Sequence, residues 1–170
     1  MKYKIQFNKM FSLFCVFFLI IVSCGCINQN ENNGFIVSDD GSTKYSSIQN
    51  AIDEANEHEI IRVKKGIYYE QLQINKTIDL IGENTNTTIL DGNQSGSVVI
   101  INADNVTLSG FTIRNSGTKQ SYYDMDAGIE IYSNNTKISN CTCENNIVGL
   151  QIKHRNSNNI INNISIESGS

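Results

Sequence analysis

Leu108-Ser109-Gly110-Phe111-Thr112-Ile113, Ile138-Ser139-Asn140-Cys141-Thr142-Cys143 and Ile161-Asn162-Asn163-Ile164-Ser165-Ile166 align without a gap. In each, the first position is aliphatic, the third is Gly or Asn, and the fourth and sixth are apolar. Glycine and asparagine share one ability, that of entering the left-handed backbone region at low cost. Each copy is therefore expected to be a strand end, a one-residue left-handed bend and a second short strand. Positions four and six of that strand face one side and position five the other. A second element recurs between the bends: Gly128-Ile129-Glu130-Ile131 returns as Gly149-Leu150-Gln151-Ile152, alternating as a half-buried strand does. Asn134-Asn135, Asn145-Asn146 and Asn158-Asn159 stand between these elements, where turns are required. A coil of about 21–23 residues with three short strands and three turns predicts a parallel β-helix. No single coil can bury its own face, so the coils must stack, about 4.8 Å apart.

Upstream the same pattern continues with looser spacing. Ile60-Ile61-Arg62-Val63, Leu72-Gln73-Ile74, Ile78-Asp79-Leu80, Thr88-Ile89-Leu90 and Val98-Val99-Ile100-Ile101 each read as a strand, with Lys65-Gly66, Asn75-Lys76, Gly82-Glu83-Asn84 and Asp91-Gly92-Asn93 as turns. Ahead of them, Ile48, Ala51, Ile52 and Ala55 fall at helical spacing, with Ser46 or Ser47 as N-cap. One amphipathic helix at 47–56 would cover the end of the core, which otherwise invites edge pairing. The expected class is all-β: a right-handed parallel β-helix of about five coils over residues 59–166, capped by that helix.

Composition agrees. Twenty-four Asn and 26 Ile, with no Pro or Trp, suit many short strands and turns and not a helical bundle. A net charge of −4 excludes a nucleic-acid grip built on bulk positive charge.

The first 26 residues carry an address. Lys2, Lys4 and Lys9 precede the apolar run Phe11–Val22, which is shorter than the roughly 20 residues of a membrane span, and then Ser23-Cys24-Gly25-Cys26. That layout predicts an export signal over 1–26. Ile21-Val22-Ser23-Cys24 resembles a lipoprotein signal, and Gly25-Cys26-Ile27 resembles the form common in archaeal lipoproteins, so lipid attachment falls on Cys24 or Cys26. Residues 27–42 are expected to form a polar tether, and 43–170 the folded domain.

The order Ser47-Ile48-Gln49-Asn50-Ala51-Ile52, Lys65-Gly66-Ile67-Tyr68-Tyr69-Glu70, Ile74-Asn75-Lys76-Thr77-Ile78 and Thr88-Ile89-Leu90-Asp91-Gly92 resembles the opening of pectin-lyase-like β-helix proteins, in particular the NosD-like and carbohydrate-binding or sugar-hydrolysis repeat type. The resemblance covers about residues 43–166 and implies the fold; the superfamily holds enzymes and non-catalytic surface proteins alike. Pectin methylesterases share this opening, but their paired Asp and Gln catalytic motifs are not found in this chain.

Asp124, Asp126 and Glu130 form the candidate site, with Tyr122 and Tyr123 in the same long insertion, 117–127. Paired carboxylates suit Ca²⁺ or acid–base work on a glycan, and tyrosines suit sugar stacking; a solvated acidic loop is the plain alternative. Arg114 and Lys119 are the local bases. His58 and His154 have no His, Met or Cys at ligand spacing, so no metal role is expected of them. The repeat alignment turns Cys141 and Cys143 into the core as small apolar fillers. Seven Asn-x-Ser/Thr sequons begin at Asn75, Asn86, Asn93, Asn105, Asn134, Asn140 and Asn163.

The expected protein is an envelope-anchored surface β-helix, a carbohydrate-binding or adhesin-like module without catalysis or cofactor. Its partners are a cell-wall glycan and, through the lipid, the membrane. The alternatives are a polysaccharide lyase or glycosidase working through the Asp124–Glu130 region, and the remnant of a longer surface protein with an unprotected final coil. Cells fed a labelled lipid precursor should mark the chain, and Cys24→Ser or Cys26→Ser should abolish the mark. Labelling unchanged by both substitutions would remove the lipid anchor.

Overall fold

The backbone turns left-handed where the repeats predict: φ is +81° at Gly110 and +50° at both Asn140 and Asn163. The structure is a computed structural model of the chain and describes residues 34–121, 124–153 and 157–167. The expected export signal, Cys24 and Cys26, Tyr122, Tyr123 and His154 lie outside the described residues. Among the described residues no helix is long and apolar enough to cross a membrane.

Fifteen short strands and one helix follow the chain among these residues. The first column of parallel strands stacks β1 (Phe35–Val37), β2 (Ile60–Val63), β5 (Asp79–Gly82), β8 (Thr107–Ser109), the first half of β13 (Lys137–Glu144) and that of β15 (Ile160–Glu167). The second column stacks β3 (Gly66–Tyr68), β6 (Thr88–Asp91), β9 (Thr112–Arg114) and the second halves of β13 and β15. The third is a separate sheet of β4 (Leu72–Ile74), β7 (Val99–Ile101), β12 (Ala127–Ile131) and β14 (Val148–Ile152). A hairpin of β10 (Gln120–Ser121) and β11 (Asp124–Met125) rises from the long insertion. This is the right-handed parallel β-helix.

The register matches the repeat alignment residue by residue. Leu108, Ile138 and Ile161 stand in line, as do Thr112, Thr142 and Ser165, and Ile113, Cys143 and Ile166. Inward columns such as Ile61–Leu80–Leu108–Ile138 are fully buried, and each such side chain contributes about 1.5–3 kcal/mol. Cys141 and Cys143 fill the core as expected, and burial pushes the Cys143 thiol up to about 12. Ile161 and Ile166, on the last described strand, are 36% and 63% exposed. At the bend, Gly110 lies against the backbone of Gly82 so closely that a Cβ on either would meet the other's carbonyl oxygen.

Helix α1 (Ile48–Glu54) begins at the N-cap Ser47 and buries Ile48, Ala51 and Ile52 against the core. Both of its ends are held from the coils. Glu70 accepts from the Ile48 and Gln49 N–H groups, each at 2.9 Å, and from Ser47 Oγ at 2.9 Å. Lys76 Nζ donates to the carbonyls of Ile52, Asp53 and Ala55 at 3.2, 2.6 and 2.7 Å. An anion at the first turn and a cation at the last satisfy orphan backbone groups and complement the helix dipole.

Two boundaries need correction. Residues 34–42, expected as part of the tether, belong to the folded unit, which starts at Gly34. Phe35-Ile36-Val37 is a β-favouring run that pairs with β2, buries Val37 completely and stacks Phe35 on Tyr45 at 5.2 Å. Lys65-Gly66, read as a turn, leads directly into β3, whose short length hides its alternation.

The bend carries a clear expectation. Asn140→Val places a β-branched residue at positive φ and should cost about 1–3 kcal/mol, whereas Asn140→Gly should be nearly silent. Chemical denaturation of both variants measures the difference, and equal losses would contradict the bend.

Candidate functional site

Four connections between the second and third columns, 69–71, 92–98, 115–126 and 145–147, stack into one corner of the coil. Hydrogen bonds tie them together. Gln94 N–H donates to Asn115 O at 2.9 Å and Gly117 N–H to Gly96 O at 2.7 Å. Ser116 N–H donates to Asn146 Oδ1 at 3.0 Å, and Ile147 N–H to Ser116 Oγ at 3.1 Å. Asn115 and Asn145, both at positive φ, pair side chain to side chain across successive coils. The corner holds an open cleft of about 340 Å³ lined by Gln94, Ser116, Gly117, Thr118, Asn145, Asn146 and Ile147. Its wall carries hydroxyls and amides, the chemistry that recognises polyhydroxylated ligands.

On the outer face of the third sheet stands Glu130. It is 4% exposed, and its strand β12 sets it in register with Ile100 and Gln151. Ser97 Oγ donates to Glu130 Oε1 at 2.8 Å and Tyr132 Oη donates to Oε2 at 2.8 Å. Ser97 Oγ in turn accepts from Ala127 N–H at 2.9 Å, so the hydroxyl hydrogen is committed to the carboxylate. Gln151 Oε1 is buried without a hydrogen-bond partner. An unpaired buried acceptor is costly, and a ligand hydroxyl would satisfy it. A carboxylate bonded by two hydroxyls, one strand from an unfilled acceptor, is equipped to take up and return a proton.

The other expected acids are placed differently. Asp126 Oδ2 accepts from Lys119 N–H at 2.7 Å and presses on Gly117, where no Cβ would fit. Asp126 therefore closes the insertion and frames the cleft. Asp124 lies on β11, in the hairpin. Among the described residues no three His, Cys, Asp or Glu side chains are grouped to hold a metal, and Asp126 and Glu130 have separate hydrogen-bond partners. His58 sits at φ +68° in the turn before β2 and donates its N–H to Thr77 O at 2.6 Å.

Sequence reasoning missed a second buried acid. Asp91 is 5% exposed; Arg114 Nε and Asn115 Nδ2 each donate to its Oδ2 at 2.8 Å, and Asn93 N–H donates to Oδ1 at 3.0 Å. Burial, the largest single effect, pushes this carboxyl up, but the donors from Asn115, Asn93 and Arg114 together outweigh it and hold it below its ordinary value. Arg114 also reaches Glu144 at 3.6 Å, one strand further along the same column. The missing signal was register: Asp91, Arg114 and Glu144 are far apart in sequence and adjacent only after stacking. Ser97 likewise belongs to no repeat.

A family model described as Pectinesterase matches residues 34–137. No curated protein matches the chain in sequence. Among solved structures, a pectin methylesterase from carrot superposes with a TM-score of 0.60 at 18% identity, covering 79% of this chain and 46% of that one. The pectin methylesterase PemA from Erwinia chrysanthemi gives 0.53 at 14% identity, over 80% and 49%. A pectin methylesterase in complex with a hexasaccharide gives 0.56 at 19% identity, over 69% and 45%. The chain spans less than half the length of each of these three proteins.

The Asp91 cluster has a pH signature. Its folded-state value is depressed, so its stabilisation is fully present above the ordinary aspartate value of about 3.9 and is lost as pH falls through the folded value. The melting temperature should drop steeply below about pH 4, and Asp91→Asn should melt lower at neutral pH with a shallower acid slope. A variant with the wild-type slope would show that this carboxyl does not control acid stability.

Proposed function

This chain belongs to the pectinesterase family, and from that premise we propose that it hydrolyses ester groups on an acidic polysaccharide of the pectin type, with Glu130 as the base. The family match corrects the expectation of a non-catalytic binding or adhesin-like module. It equally replaces the lyase or glycosidase alternative, since the family's name is that of an esterase. A carbohydrate polymer remains the partner.

The observation that carries the reading is the buried Glu130 carboxylate with Ser97 and Tyr132 hydroxyls at 2.8 Å, Ser97 coming from the connection that also gives the cleft Gln94. With an ester in the cleft, Glu130 takes a proton from a water molecule as its oxygen bonds to the ester carbonyl carbon. The tetrahedral centre then collapses, the bond to the alkoxy oxygen breaks, and Glu130 returns the proton to the departing alcohol. Ser97 and Tyr132 hold the carboxylate in place, and the side-chain oxygen of Gln151 accepts from a sugar hydroxyl. The products are a carboxylic acid and an alcohol; ester hydrolysis written this way needs no cofactor. Glu130 stands in for the paired Asp and Gln motifs that this sequence lacks.

The location of the activity belongs to the same proposal. The lysines and apolar run before Ser23 support export, and Cys24 or Cys26 supports a lipid anchor, as in archaeal lipoproteins. An enzyme so tethered would work on polymer outside the cell. The NosD-like likeness rests on the opening stretches between Ser47 and Gly92, which describe scaffold and not chemistry.

Methanol release from methyl-esterified polygalacturonate tests the activity. Wild type should release methanol, and Glu130→Gln should lower the rate by roughly 10²–10⁴ with unchanged circular dichroism. Tyr132→Phe should cost less, because one hydroxyl still holds the carboxylate. No release by wild type, or full release by Glu130→Gln, would overturn the proposal.

A further inference from the structure

Tyr69 is the most exposed of the large hydrophobic side chains described, at 69%. Its neighbours are all fixed. Tyr68 is buried and its hydroxyl donates to Lys64 O at 2.9 Å. Glu70 is bound to the N-terminal end of helix α1, and Gln71 Nε2 donates to Gly92 O at 2.6 Å. A residue clamped on both sides that presents an uncovered ring loses little freedom when a ligand settles on it.

The position of that ring is informative. Tyr69 follows β3 in the same corner that holds the cleft, and the Gln71–Gly92 bond joins its connection to the next, which carries Gln94. Successive connections rise about 4.8 Å along the axis. Ile67, two residues earlier and 40% exposed, faces outward as well. The corner therefore presents one stripe along the axis, from the amide-lined cleft past Gln94 to an aromatic and aliphatic platform.

We propose that Tyr69 is an outer sugar-binding platform, and that a polysaccharide lies along the helix axis from the cleft to this ring. The inference rests on the carbohydrate-ester reading above and adds to it the direction of the chain and a residue that selects for length. One face of a pyranose ring presents C–H groups and packs on an aromatic face, while its hydroxyls meet the amides and hydroxyls of the cleft. The mapping excludes Tyr69 from the reaction itself: it contributes to holding polymer and not to moving protons.

Calorimetric titration of the full chain with methyl-esterified oligogalacturonates, from disaccharide to hexasaccharide, is the test. Wild type should bind more tightly as length increases. Tyr69→Ala should weaken the hexasaccharide roughly three- to tenfold, leave the disaccharide unchanged, and be rescued by Tyr69→Phe. Tight hexasaccharide binding unaffected by Tyr69→Ala would overturn this inference while leaving the esterase reading intact. An equal loss for disaccharide and hexasaccharide would also overturn it, since Tyr69 would then belong to the cleft. Absence of binding at every length by a wild type that fails to release methanol would overturn the esterase reading, and this inference with it.

Discussion

The left-handed residue at the bend is the constraint on which the rest of the molecule depends. Gly110, Asn140 and Asn163 each turn the chain within a single residue, so the strands before and after them keep a fixed offset from one coil to the next. A parallel ladder tolerates no slip, because a shift of one residue would exchange the buried and exposed faces. Leu108 and Ile138 then remain inside, and Ser109 and Ser139 outside, throughout the stack. Asparagine adds a second bond at this place, since Asn163 Nδ2 donates to Asn140 Oδ1 at 2.6 Å across coils.

The helix depends on the coils more than on its own sequence. Seven residues are too few for an isolated helix to persist in water. Its stability comes from Ile48, Ala51 and Ile52 packed on the core, and from Glu70 and Lys76, which hold its two ends. Those two charged residues lie in the very stretches that resemble the opening of β-helix proteins. Their role there is mechanical: they bind the two ends of the helix to the coils.

The candidate site lies at one corner, which is where the coils differ. Along the sheets, side chains repeat and pack; between the second and third columns, the connection grows from three residues at 69–71 to twelve at 115–126. The added residues frame the cleft, and the Glu130 carboxylate is held by side chains from two coils. The chain belongs to the pectinesterase family, and the ester chemistry proposed for it is assigned to that corner. The expectation of a passive binder, which leaned on the absent Asp and Gln motifs, is overturned by the family match.

By itself, the sequence determined the period, the bends and the inward columns. These are local properties: left-handed tolerance at Asn and Gly, and alternation over a few residues. It also marked Cys141 and Cys143 as core and the 47–56 segment as a helix. Beginning the folded unit at Gly34 and not at 43 was legible only in the structure, since β1 acquires its meaning by pairing with β2, more than twenty residues away. Glu130 was visible as an acid, but its partner Ser97 lies 33 residues earlier, and Asp91 meets Arg114 across 23. Such pairs follow from register, which the tertiary stack sets by adding the lengths of all intervening turns. No window of sequence holds that sum, and for that physical reason the scaffold was readable from the residues while the site was decided by the fold.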